Sequence, residues 1–106
     1  MVLKHKWLDE ARTELEATLD YVQSMFGYNA VENAYSQITD CIRMLETFPD
    51  AGMHYRNLLY KGFEVRIFHM KKNSIIYCHD DEILYILAFW NNMRDDSIVV
   101  DLLAER

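Results

Sequence analysis

ILYILAFWNNMRDD, residues 83 to 96, decides the fold. Its first eight positions are apolar on both parities of a strand, so both faces need cover or a central place in a sheet. Just past Trp90 the chemistry turns polar, with Asn91, Asn92, Arg94, Asp95 and Asp96 interrupted only by Met93. The stretch reads as a buried strand that leaves the core abruptly. Its polar end is either a turn into a last helix or the place where a site was built.

Upstream, SIIYCH (74 to 79) and FEVRIFHM (63 to 70) are rich in β-branched and aromatic residues. In the second, Phe63, Val65 and Ile67 alternate with Glu64, Arg66 and Phe68. KKN and DDE are connections short enough to make the three segments an antiparallel meander. Further upstream the period becomes helical. Leu8, Ala11, Leu15, Leu19, Val22 and Phe26 recur at steps of three and four, with Asp9 and Glu10 at the start and Gly27 as the stop. Asn29, with Glu32 three residues on, predicts a capped second helix. Its apolar face is Val31, Ala34, Tyr35, Ile38, Ile42 and Leu45, and Pro49 ends it. VLKHK (2 to 6) predicts a short edge strand. SIVVDLLAER has strand-like β-branching, but its apolar spacing and the Asp95-Asp96-Ser97 start predict a helix. The expected order is β-α-α-β-β-β-α. This is an α+β fold: an N-terminal short strand, a helical hairpin packed on a small, mainly antiparallel sheet, and a short C-terminal helix.

The 106 residues suit one domain, 1–106, and 51% of them are apolar, enough for a real core. No apolar run approaches the roughly 20 residues of a membrane span, and MVLKHKW has no signal-peptide pattern. A soluble, cytoplasmic protein with no membrane association is expected. Cys41 and Cys78 read as reduced, buried thiols. His5, His54, His69 and His79 form no metal-ligand spacing, and no metal or cofactor is expected. The net charge of −6 argues against tight nonspecific nucleic-acid binding. It is unevenly spread: residues 51 to 79 carry five basic groups against Glu64 alone, while both flanks are acidic.

Several anchors resemble the RelE/ParE superfamily of bacterial toxin–antitoxin toxins. Trp7, Ala11, Leu15 and Tyr21 give W-x3-A-x3-L-x5-Y. Phe26-Gly27, Ala30, Ile38, Leu45 and Pro49-x2-Gly52 come next. Gly62, Arg66 and Tyr77 give G-x3-R-x10-Y, and Trp90 to Asp95 gives W-x3-R-D. The match covers almost the whole chain. The resemblance implies a plasmid-stabilisation-type toxin neutralised by a cognate antitoxin. ParE-like members inhibit DNA gyrase and have no known hydrolytic site. RelE-like and HigB-like members cleave messenger RNA on the ribosome.

RNA cleavage needs a base for the 2′ proton, cations for the phosphorane and an acid for the leaving oxygen. Candidates for such roles are Lys61, Arg66, His69, His79 and Arg94. Past Trp90, where the nucleases tend to carry basic groups, this chain has Asn91, Asn92 and Met93, then Arg94 beside two aspartates. Ile98 stands near the place of a catalytic tyrosine. ParE-like members commonly end this strand in His-x-x-Arg-Asp; here Asn91 replaces the histidine, while Arg94 and Asp95 match. The reading is therefore ParE-like, acting on a protein target. Arg66, Tyr77, Trp90, Asn91, Arg94 and Asp95 are the candidate contacts for target or antitoxin. Lys71 and Lys72 read as a solvated hairpin tip, and the acidic Glu10, Glu14, Glu16 and Asp20 would favour a basic antitoxin segment. Two alternatives stay open: a ribosome-dependent mRNA endonuclease, and a degenerate, non-toxic binding protein. A homodimer or a toxin–antitoxin hetero-oligomer is compatible with either.

Overall fold

The computed structural model describes residues 2–106, with residue 96 through its backbone only. The elements are β1 (Lys4–Trp7), α1 (Asp9–Phe26), α2 (Tyr28–Thr47), β2 (Met53–Tyr60), β3 (Phe63–His69), β4 (Asn73–His79), β5 (Ile83–Asn91), a 3-10 turn (Asp96–Ile98) and α3 (Val99–Ala104). One sheet runs in the order β1-β5-β4-β3-β2. Only the β1–β5 pair is parallel, so the sheet is mainly antiparallel as expected.

The two-faced apolar run becomes β5, an interior strand between β1 and β4. Leu84, Ile86 and Phe89 join Ala11, Leu15, Ile38, Ile42 and Leu45 in a core under the helical hairpin. Leu87, Ala88 and Trp90 join Val65, Ile67, Val99 and Leu103 in a second core under α3. A register shift against β4 between Ile76 and Tyr77 explains how consecutive Leu87 and Ala88 share a face. One extra residue in a strand reverses its alternation. Cys78 is buried in the second core, and burial pushes its thiol up to about 11.

The strand pattern missed β2. Its pairing with β3 breaks between His54 and Leu59, and Arg56 and Asn57 hold positive φ of 53° and 55°. These irregularities erase the alternation by which a strand is recognised, and they also roughen an exposed sheet edge. Lys61 and Gly62, both at positive φ, close β2 onto β3 through a two-residue turn.

The expected capping of the second helix is corrected. Helix α2 starts at Tyr28 directly after Gly27, which turns the chain at φ 91°, and no side chain caps it; Asn29 lies inside the first turn. The apolar stripes also stop short. Tyr21, Phe26 and Tyr35 are exposed, although the periodicity placed Phe26 and Tyr35 on buried faces. At the hairpin tip the Phe26 ring is met by the Lys72 ammonium of the β3–β4 turn, 5.9 Å from its centroid, rather than by an apolar surface of the sheet.

Glu14 is not part of an open acidic face. It forms a two-toothed pair with Arg106 at 2.9 and 2.8 Å. The same pair closes the open edge of β5 beyond the short β1, since Phe89 N–H donates to Glu14 at 3.2 Å and Arg106 donates to the Leu87 carbonyl at 2.7 Å. At the start of the last helix, Asp95 accepts from the Ser97 amide at 2.9 Å; the Asp96 side chain expected beside it lies outside the described atoms. Among the described residues no helix is long and apolar enough to cross a membrane.

Candidate functional site

The polar candidates divide between two regions. The first is the loop joining α2 to β2. The Arg66 guanidinium, 13% exposed, donates to the carbonyls of Gly52 at 2.7 Å and Asp50 at 3.2 Å. Its Nε stands 3.5 Å from the Asp50 carboxylate. Its second nitrogen lies 3.3 Å from His54 Nε2. A guanidinium only donates, so His54 Nε2 accepts and Nδ1 carries the ring proton, 3.5 Å from Glu64. His79 lies 2.9 Å from the Asp80 carbonyl through Nδ1 and 2.8 Å from Asp50 through Nε2. The hydrogen bond from His79, helped by Arg66, holds the Asp50 carboxyl below its ordinary range.

Tyr77 completes this pin from inside. Its hydroxyl donates to the Pro49 carbonyl at 2.7 Å and accepts from the Gly52 amide at 2.9 Å. Burial raises its pKa. A Cβ on Gly52 would lie 2.6 Å from the Tyr77 hydroxyl and 2.9 Å from the Ile67 carbonyl, so only glycine lets the loop come this close. Pro49, Gly52, Arg66 and Tyr77 are four of the anchors that carried the family resemblance. The structure brings them together as the device that fastens the loop to the sheet. Tyr77, fully buried, presents nothing to a partner.

The second region is the exit from β5. Trp90 is 2% exposed in the α3-side core and is not an exposed anchor. Its indole N–H is buried with no hydrogen-bond partner among the described residues. The Arg94 guanidinium covers the indole face, 4.6 Å from the ring centroid. Asn91 shapes the turn, accepting from Met93 N–H at 2.9 Å through its side chain and from Arg94 N–H at 3.0 Å through its carbonyl. Buried Ser74 donates to Asn92 Oδ1 at 2.5 Å. The serine has one proton, so it accepts from His69 Nδ1–H, 2.7 Å away. His69, Trp90, Asn92, Arg94, Asp95 and Ile67 line a shallow depression of about 370 Å³. The Ser97 amide lowers the pKa of Asp95, with Arg56 adding to it.

The five candidates for RNA chemistry thus lie in three places. Arg66 and His79 share the loop pin, His69 and Arg94 share the β5 exit, and Lys61 sits in the β2–β3 turn with its ammonium over the Tyr60 ring. Sequence reasoning missed Asp50, Ser74 and Met93. Asp50 could have been found from its place inside Pro49-x2-Gly52; Ser74 and Met93 carry no spacing signal.

Over residues 5–96 the chain matches the family model of the ParE toxin of the type II toxin–antitoxin system parDE. It therefore belongs to the ParE toxin family, within the wider superfamily that its anchors resemble. Among solved structures it is similar in fold to a chain of the chromosomal ParDE toxin–antitoxin system from P. aeruginosa, with TM-score 0.68 and 17% identity. The alignment covers 85% of this chain and 96% of that one. No curated protein matches the chain.

Proposed function

We propose that this chain acts in the cytoplasm as a ParE-like toxin that binds a protein target, DNA gyrase by family resemblance, and is neutralised by a cognate antitoxin. One observation carries the preference for binding over RNA cleavage. Arg66 and His79, two of the five candidates for RNA chemistry, are held by backbone carbonyls and by Asp50 within the chain. A group so engaged is not free to meet a phosphate without opening the loop it fastens. A second reading, ribosome-dependent mRNA cleavage, draws support from His69 and Arg94 lining one depression.

Induced expression with and without the antitoxin gene tests the proposal. Expected are growth arrest relieved by the antitoxin, filamentation with a DNA-damage response, and inhibition of gyrase supercoiling by the purified protein. Rapid translation arrest with cut transcripts would favour the nuclease instead. Absence of any arrest would leave a non-toxic binding protein.

A further inference from the structure

The β3–β4 turn, the loop after β5 and the tip of the helical hairpin meet at one end of the molecule. Asn92 N–H donates to the Lys72 carbonyl at 2.9 Å, joining the first two. The Lys72 ammonium stands 5.9 Å from the centroid of the Phe26 ring, joining the third. Phe26 is 62% exposed and Met93 92%, the most exposed large hydrophobe described. Apolar side chains in single exposed positions are ordinary. Lys71 and Lys72 stand at the same end and Arg94 lies beside it over Trp90 on the α3 face; among the described residues none of these three cations has a carboxylate within ion-pair distance.

The loop bearing Met93 is also held in shape before any partner arrives. Asn92 is fixed by Ser74 and by the Lys72 and Met70 carbonyls, and Met93 N–H by the Asn91 side chain. A rigid loop loses little conformational freedom on binding. Methionine, phenylalanine and arginine are residue types enriched at interfaces, and methionine adapts to irregular apolar pockets.

From this geometry we infer that Phe26, Lys71, Lys72, Met93 and Arg94 form the surface that engages the toxin's protein target. The complementary target surface is an apolar pocket that receives Met93, rimmed by carboxylates that meet the cations. Charge separates this partner from the antitoxin. The exposed carboxylates of α1, Asp9, Glu10, Glu16 and Asp20, suit a basic segment, whereas this end suits an acidic one. The inference rests on the reading of the protein as a toxin with a protein target.

The test compares the wild type with Met93→Asp and with the double variant Lys71→Glu/Lys72→Glu, each induced alone and together with the antitoxin. Thermal melts and co-purification with the antitoxin report folding. The expected result is at least a tenfold loss of toxicity, with the melting temperature and antitoxin capture retained. The milder Met93→Ala, expected to weaken toxicity severalfold, guards against a misfolded aspartate variant. Folded variants as toxic as the wild type would overturn the surface and leave the toxin reading standing. Variants that lose the antitoxin along with toxicity would assign the surface to the antitoxin and overturn the inference. A wild type that does not arrest growth, or that cuts transcripts, would overturn the toxin reading beneath it.

Discussion

In the loop after α2, the polar groups end on partners within the chain; in the loop after β5, Asn91 and Asn92 are likewise engaged, but the Met93 side chain between them and Arg94 stays outside. Arg66 illustrates the first, with two carbonyls and a carboxylate around one guanidinium. Met93 illustrates the second, fixed at its amide and open along its side chain. Both regions hold family anchors, Pro49, Gly52, Arg66 and Tyr77 in one and Trp90, Arg94 and Asp95 in the other. An anchor thus marks a place where the chain must be held.

Gly52→Ala should strike the first loop hardest. Its new methyl would meet the Tyr77 ring and the Ile67 carbonyl, and a loss of roughly 3 kcal/mol is expected in chemical denaturation. A melt indistinguishable from wild type would show that the loop is not fastened as described. Arg66→Ala should come next, at about 2 kcal/mol, because it strips a charged donor from the Gly52 and Asp50 carbonyls. Toxicity per folded molecule should be unchanged; a selective loss of toxicity would return Arg66 to the binding surface.

High pH tests the interior against which the first loop is fastened. Burial raises the Cys41 and Cys78 thiols from 9.0 to about 11, and also raises Tyr77. Raised folded-state values mean stability that is complete below pH 9 and is lost as pH rises toward 11. The decline should be on the order of 2 kcal/mol, read as melting temperature against pH. Tyr77→Phe should be less stable at neutral pH yet lose less above pH 10, the ordinary tyrosine value. The smallest effect belongs to the other loop. Met93→Ala should leave stability within about 0.5 kcal/mol, since the side chain touches almost nothing in the fold.

Much of the architecture was legible. The helical period of α1 and α2, Gly27 between them, and the two-faced run of β5 each have a local physical cause that spacing expresses. Strand β2 was hidden because Arg56 and Asn57 take left-handed conformations that no alternation announces. The site was less legible. Lys71 and Lys72 read correctly as a solvated turn, but nothing along the chain placed them beside Phe26 or beside Asn92. Glu14 read as one carboxylate in an acidic face, because its partner lies 92 positions away at Arg106.

The class of fold was written into the sequence, since periodicity and turn residues act over a few positions and survive any global arrangement. So was the abrupt exit from the core that begins at Trp90. Which polar groups are used up in holding the molecule together was a matter for tertiary structure. That depends on distances between residues far apart in the chain, as between Tyr77 and Pro49 or between Ser74 and Asn92. Tertiary structure also left Met93 facing outward, because no distant segment among the described residues covers it.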